Sequence, residues 1–367
     1  MLRTLVKPKT KIDFRTRFKE GLQPLDTGHN IHTPFSLCDN ILKNIKPNSN
    51  QKFGILYTLG FAITLIEDFG IDPKNIWLFG DSPEKKKIAN HLGINYNSIN
   101  VLQEINMKFD IVLTNPPYQD ENKKSIVMFH IKNALDKVKP GGYLGVVSSR
   151  GWVNGEATQK GFSSTSDFCK LRNWQIEVID PDTNKHFNDI GKSTNYFILH
   201  KISKHKPTKI LSNKNFSVDL SKYNFLPYWL DESIYSIFDK VMIKNNFWFD
   251  FHDIDNDKLT SPAVCYPRAQ FISFDSVMIS DGTKVPPSKT IHISEIKTQD
   301  MPHCEFLFRS KFFRFLHFIY GGQDGVSPGY LRKLPRVPTS ITNDEDLYKY
   351  FNLNQNEITY IENRINY

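Results

Sequence analysis

Between Ile55 and about Lys201, short apolar runs alternate with segments of helical period. Phe53-Gly54-Ile55-Leu56-Tyr57 reads as a strand and Phe61 to Phe69 as a helix. Asn75-Ile76-Trp77-Leu78-Phe79 predicts a second strand and Pro83 to Leu92 a second helix. Phe109 to Thr114 predicts a third strand. Ile126 to Val138 carries apolar residues at helical spacing, and Lys139-Pro140-Gly141-Gly142 is expected to end that helix. Tyr143 to Ser148 reads as a further buried strand. Strands in regular alternation with helices predict an α/β fold, a parallel sheet covered on both faces. Ligands of such sheets bind beyond the carboxyl ends of the strands.

After Lys201 the pattern changes. Lys201-Ile202-Ser203-Lys204-His205-Lys206-Pro207 is polar and basic and reads as a linker. Beyond it, short aromatic-rich runs separated by Asn, Asp, Pro and Gly predict a second domain of mixed or mainly β character. The chain becomes extended near Lys333 to Pro338, and a short helix is expected from about Asp344 to Asn363. The length of 367 residues suits two domains better than one. Lys and Arg number 47 against 39 Asp and Glu, a net charge of +8 that favours an anionic partner such as nucleic acid. The four cysteines, Cys38, Cys169, Cys265 and Cys304, have no paired spacing, which excludes a disulfide scaffold or Cys-rich zinc module and suits a reducing compartment. The longest apolar stretch, Phe53 to Ile66, falls short of the roughly 20 residues a membrane span needs. No membrane association is expected, and a cytoplasmic location is.

The most specific string is Asn115-Pro116-Pro117-Tyr118, directly after the Phe109–Thr114 strand. Two prolines fix the backbone and present one carboxamide and one aromatic ring at the strand's carboxyl end. An uncharged carboxamide oxygen accepts hydrogen bonds from an exocyclic amine, which draws the nitrogen lone pair out of conjugation with its ring. Tyr118 offers a face on which a base stacks, worth roughly 1–3 kcal/mol. The pair suits alkylation of a base amino group without a strong general base. Read without context, the same string is a turn after a strand.

With these residues in place, the chain resembles the S-adenosylmethionine-dependent N6-adenine DNA methyltransferases of gamma type, found in restriction–modification systems and phages. Asn115-Pro116-Pro117-Tyr118 matches the family's catalytic motif in full. Upstream, His32-Thr33-Pro34-Phe35, opening a helix from Ser36 to Ile45, resembles its "TP" motif, in which Thr33 and Pro34 would touch the methionine part of the cofactor. Phe187 to Phe197 resembles a later strand region of the catalytic domain. Leu331 to Pro338, with Tyr350 to Leu353 and Glu357 to Glu362, resembles the tail after the target-recognition domain. The resemblance implies a basic arm over residues 1–30, a Rossmann-like catalytic domain over 31–205, a DNA-binding target-recognition domain over 206–340 and a helical tail over 341–367. It implies methyl transfer to a flipped adenine in double-stranded DNA, with S-adenosylmethionine as cofactor, no metal, and a cognate restriction endonuclease as the partner such systems supply. Asn115 and the Pro116 carbonyl would accept the amino hydrogens while Tyr118 stacks on the ring.

The cofactor loop departs from the family pattern of an acid, a proline and a Gly-x-Gly turn. Here it runs Tyr57-Thr58-Leu59-Gly60-Phe61-Ala62: one glycine is kept, the second is alanine, and tyrosine replaces the acid. Glycines there let the backbone approach the ligand, and the acid holds the cofactor's cationic end. Gly80-Asp81 follows the second strand, where an acid would grip ribose hydroxyls; Asp81 also reads as a helix cap before Pro83. The residue at the adenine amine is Asn97 or Asn100.

Other features have competing readings. Lys7, Lys9, Lys11, Arg15, Arg17 and Lys19 form an arm that is either phosphate-binding or solvated. Phe247, Trp248, Phe249 and Phe251 are expected to pack the second domain rather than stack on bases. Tyr320-Gly321-Gly322-Gln323-Asp324-Gly325 is a base reader or a turn. Asp253, Asp255 and Asp257 imitate a calcium loop, but Lys258 and Val264 stand where its glycine and glutamate belong, so a solvated turn is expected. Asp281 with Glu295-Ile296-Lys297 has the residue types of a metal-dependent nuclease, and His29 and His32 lack further metal-type partners. Besides DNA methylation, the rivals are an RNA-directed methyltransferase, a methyltransferase fused to a nuclease, and a DNA reader that has lost its cofactor through the altered Tyr57–Ala62 loop.

Overall fold

The computed structural model describes residues 33–118, 122, 126–149, 174–187, 194–204, 206–223, 225–244, 249–255, 259–267, 277–283, 290–320 and 332–365. The basic arm, His29 and His32, Phe247 and Trp248, and Gly321 to Gly325 lie outside them. The described residues fall into two compact units, one ending at Thr208 and the other beginning at Lys209.

The first unit is built on seven strands: β1 (Phe53–Leu56), β2 (Ile76–Phe79), β3 (Asn95–Asn97), β4 (Phe109–Thr114), β5 (Val138–Ser149), β6 (Gln175–Asp180) and β7 (Thr194–His200). Their spatial order is β3-β2-β1-β4-β5-β7-β6. The first five run parallel, whereas β7 is antiparallel to both β5 and β6. The dinucleotide-binding order 3-2-1-4-5-6 is thus interrupted by one reversed strand. The expected α/β class is what the chain adopts. β1, buried along its whole length, and β4, buried except at Asp110, are near-continuous apolar runs, as central strands with both faces covered must be. β3, Asn-Tyr-Asn, carries no such signal; it lies at the sheet edge, half-buried.

Among the described residues, four helices accompany the sheet: α1 (Phe35–Ile45), α2 (Gly60–Glu67), α3 (Pro83–Leu92) and α4 (Val127–Asp136). α1 buries Leu37, Cys38, Ile41, Leu42 and Ile45, spaced three and four apart along one stripe. Burial of each aliphatic side chain contributes roughly 1.5–3 kcal/mol. Gly145 in β5 allows that approach: a Cβ there would stand 2.9 Å from Leu113 Cδ2 and 3.1 Å from Ile41 Cγ2. α3 starts where the sequence predicts, with Pro83 at its first turn, but its cap is Ser82, whose hydroxyl accepts from the Lys85 N–H. The cap reading of Asp81 is therefore corrected. α4 ends at Asp136, before the Lys139–Gly142 stretch expected to stop it. That stretch lies inside β5, where Gly141 takes φ +76° and the register with β4 shifts between Phe109 and Ile111.

The short strand β8 (Thr208–Ile210) spans the boundary, and the second unit continues with the short strand β9 (Phe216–Val218) and helix α5 (Glu232–Ile243). An antiparallel sheet follows, made of β10 (His252–Asp255), β11 (Ala263–Pro267), β12 (Met278–Ser280) and β13 (Thr290–Glu295) in the order β10-β13-β11-β12. Asp253 and Asp255, expected in a solvated turn, lie in β10 instead. Phe249 and Phe251 are buried, as packing residues should be. Helices α6 (Met301–Arg309) and α7 (Lys311–Ile319) meet at Ser310, whose hydroxyl accepts from the Phe313 N–H and so caps α7. The single helix expected near the carboxyl end is two, α8 (Asp344–Tyr350) and α9 (Gln355–Arg364). Asn352 at φ +54° turns the chain between them, and Asn354 with Glu357 forms a capping box that starts α9.

Candidate functional site

Strand register levels the carboxyl edge of the first sheet. Leu56 pairs with both Phe79 and Thr114, and Phe79 pairs with Asn97. The residues that follow, Tyr57, Gly80, Ser98 and Asn115, therefore leave four neighbouring strands in one row. This is the edge where parallel α/β sheets bind ligands.

Asn115 is buried, and its side-chain amide is held at both ends. Its Nδ2 donates to Thr33 Oγ1 at 3.0 Å, and its Oδ1 accepts from the Tyr118 hydroxyl at 3.1 Å. Thr33 is itself fully buried just before α1, and the Pro34 carbonyl accepts the Leu37 and Cys38 N–H groups of that helix. The helix that settles onto Gly145 thus carries the hydroxyl that orients the amide. Burial pushes the Tyr118 phenol above the ordinary tyrosine range, so it remains a hydroxyl donor. One residue on from Pro34 and Phe35, Ser36 Oγ meets His186 Nδ1 at 3.0 Å. The His186 Nε2 is buried without a hydrogen-bond partner among the described residues.

The loop after β1 is also tightly held. Tyr57 takes φ +73°, a left-handed conformation unusual for a residue other than glycine. Its N–H donates to the Phe79 carbonyl at 2.8 Å, its carbonyl accepts from Lys85 Nζ at 2.5 Å, and its hydroxyl meets His130 Nδ1 at 2.5 Å. Burial, with the Asp81 carboxylate nearby, raises the Tyr57 phenol out of the ordinary range. Burial pushes His130 down to about 4. Near neutral pH the phenol is therefore the donor and the imidazole nitrogen the acceptor. Thr58 Oγ1, and Thr114 Oγ1 at the end of β4, are buried with no hydrogen-bond partner among the described residues. Gly60 opens α2, its carbonyl accepting from Thr64 Oγ1.

Asp81 is exposed, and its Oδ1 accepts from Ser98 Oγ at 2.7 Å and from the Ile99 N–H at 3.3 Å. The Asn97 carbonyl accepts the Gly80 N–H, and Tyr96 donates its hydroxyl to the Gly80 carbonyl at 2.6 Å. Asn100 is exposed, tied through its N–H to Ser98 Oγ. The edge thus gathers Thr33, Asn115 and Tyr118 in one hydrogen-bonded group and Tyr57, Lys85 and His130 in another. Sequence reading passed over Lys85, His130 and His186. Lys85 sits in a run of three lysines that suggests solvent, yet its spacing of four from buried Ala89 places it on the inner stripe of α3.

The nuclease-like set in the second unit is not assembled. Ser280 and Glu295 both pair with Ala263, from opposite sides of β11. Asp281 and Glu295 therefore lie on opposite sides of β11, about two strand spacings apart along the sheet. Among the described residues no group of three or more His, Cys, Asp or Glu is placed to hold a metal.

Residues 81–177, which contain the Asn115–Tyr118 loop, match the family "Methyltransferase small domain". This is a methyltransferase fold. No curated protein matches the chain. Similar solved structures include a modification subunit ascribed to a type I restriction enzyme from Vibrio vulnificus YJ016, with 13% identity, 54% of this chain and 50% of that one covered, and TM-score 0.41. Others are the M protein of the type I restriction enzyme EcoKI, with 18% identity, 48% and 47% coverage and TM-score 0.34, and TrmN from Thermus thermophilus, with 13% identity, 46% and 49% coverage and TM-score 0.33. The chain spans about half the length of each of these structures. Likenesses this distant say nothing of substrate. Among the described residues, no helix of this chain is long and apolar enough to cross a membrane.

Proposed function

We propose that the chain is a site-specific DNA methyltransferase that transfers the methyl group of S-adenosylmethionine to the N6 amino group of adenine in double-stranded DNA. The observation that carries this reading is the clamped carboxamide of Asn115 beside the Tyr118 ring at the carboxyl end of β4. With Nδ2 committed to Thr33, Oδ1 is the atom turned toward Tyr118 and toward an incoming amine. A base amino group that replaces the Tyr118 hydroxyl would donate one hydrogen to Oδ1 and a second to the Pro116 carbonyl. Tyr118 would then stack on the base, and Pro117 would keep the loop rigid. The reaction requires alignment more than proton abstraction, which suits a site where the His130 imidazole is occupied by Tyr57.

The crevice fits the cofactor. On the nucleoside side, Asp81 offers a carboxylate to ribose hydroxyls, and Asn97 and Asn100 flank Ser98 at the end of β3. On the methionine side, Thr58 and Thr114 hold buried hydroxyls that lack partners among the described residues, and Thr33, Pro34, Tyr57 and Gly60 border the same strand ends. Bound S-adenosylmethionine supplies a methyl group already activated by the sulfonium charge. The target-recognition role falls to residues 206–340 and the tail to 341–367, with DNA and a cognate restriction endonuclease as partners, a basic arm over 1–30 and a catalytic domain over 31–205, in the cytoplasm.

The test is incubation with methyl-labelled S-adenosylmethionine and unmethylated mixed-sequence duplex DNA, followed by nucleoside analysis. Label in N6-methyldeoxyadenosine is expected. Label in RNA alone, or on another base, overturns the substrate. DNA binding without label at saturating cofactor overturns the enzyme in favour of a cofactor-less reader.

A further inference from the structure

The first strand's loop has exchanged its charge. The place where a methyltransferase of this type keeps an acid for the cofactor's ammonium is Tyr57, and no Asp or Glu occurs between Leu56 and Gly60. In its stead a buried lysine ammonium reaches the loop: Lys85 Nζ lies against the Tyr57 carbonyl at 2.5 Å. Beside it, Thr58 keeps a buried hydroxyl with no partner among the described residues. The nearby carboxylate, Asp81, is turned to Ser98 and the Ile99 N–H through Oδ1. A charged donor at this loop makes a poor seat for an ammonium and a good one for an anion, which the Thr58 hydroxyl could join as a donor.

The amino-acid end of S-adenosylmethionine carries both charges, an ammonium and a carboxylate. We infer that Lys85, with Thr58, binds the carboxylate of the methyl donor, so that this site recognises the opposite charge from the one the acid-bearing loop recognises. The inference rests on S-adenosylmethionine as the cofactor and adds which of its groups fixes its orientation. The left-handed Tyr57 serves this arrangement: its conformation turns the carbonyl to Lys85 while its hydroxyl is taken by His130. Lys85 and the loop residue it touches follow neighbouring strands, β2 and β1, so the charge is set by the sheet rather than by a free loop.

Calorimetric titration of the full chain with S-adenosylhomocysteine and two analogues tests this. One analogue lacks the α-carboxylate and keeps the amine; the other lacks the amine and keeps the carboxylate. The wild type is expected to lose about tenfold or more in affinity without the carboxylate and much less without the amine. Lys85→Met should weaken binding of the parent by a similar factor and abolish the preference, and Lys85→Arg should restore part of it. If Lys85→Met fails to fold, Thr58→Val gives the same reading through the second donor. A greater loss on removing the amine, or unchanged or tighter binding by Lys85→Met, overturns the inference and leaves the cofactor in place. Failure of the wild type to bind S-adenosylhomocysteine at all overturns both.

Discussion

Asn115 can act on an amine only while its carboxamide faces the right way. An unrestrained amide presents its oxygen or its nitrogen with little preference; here its nitrogen donates to Thr33 Oγ1 and its oxygen faces the Tyr118 hydroxyl. Two substitutions separate the reacting group from its orienting partner. Asn115→Ala should lower turnover about 100-fold or more, in the range reported for removal of one transition-state hydrogen bond, with the unfolding midpoint little changed. Thr33→Val preserves shape and deletes one hydrogen bond worth about 1 kcal/mol. It should lower kcat roughly 5- to 10-fold while leaving cofactor affinity intact, as steady-state kinetics with calorimetry would show. A Thr33→Val variant that loses cofactor affinity and keeps kcat would return Thr33 to the cofactor role that its motif suggests. The Asn115–Tyr118 motif was legible because an uncommon string follows a strongly apolar strand. The Thr33 contact was not, because it joins positions 82 residues apart and no periodicity reports such a meeting.

At the scale of elements, the buried strands and amphipathic helices were readable wherever apolar spacing is dense. β4 runs over the predicted residues and α3 begins and ends where its proline and glycine place it. Edge elements were not readable: polar β3 is ordered by pairing to β2 and by the Tyr96 hydroxyl, neither of which leaves a mark in its own composition. The helix break at Phe351–Asn354 was also hidden, since apolar residues continue through it; only Asn354, three residues before Glu357, signals a new start. α9 is then fixed by Glu357, which is buried and accepts from Ser236 Oγ at 2.6 Å and from Lys240 Nζ at 2.6 Å on α5. Glu357→Ala should cost about 1.5–3 kcal/mol in denaturant unfolding, losing both contacts and half of the capping box. On the first sheet, Gly145→Ala should cost about 1–3 kcal/mol by overpacking against Leu113 and Ile41. Because Ile41 belongs to the helix that begins beside Thr33, Gly145→Ala should also lower kcat; the same stability loss with full kcat would show that α1 shifts without carrying Thr33 away from Asn115.

Across the whole molecule, both units contain a histidine that folding keeps uncharged. Burial pushes His130 in the first unit and His317 in the second each to about 4, against an ordinary value of 6.5. A base whose folded pKa is depressed binds fewer protons folded than unfolded in that interval, so acid favours the unfolded chain. Stability should be fullest above about pH 6.5, fall as the pH drops toward 4, and lose nothing more from these two groups below it. The two sites differ in consequence. Protonating His130 removes the acceptor for the Tyr57 hydroxyl, so in the same interval the β1 loop should loosen and cofactor affinity should fall along with stability. His317 lies in α7 near Tyr266, with ring centroids 6.2 Å apart, and its protonation should weaken the second unit alone. Thermal unfolding from pH 7.5 to 4 therefore has an expected pattern. His317→Leu should flatten the acid dependence of stability without altering that of cofactor binding, whereas His130→Gln should flatten both. Unchanged slopes in both variants would mean that carboxylates, not these imidazoles, set the acid limit of the fold.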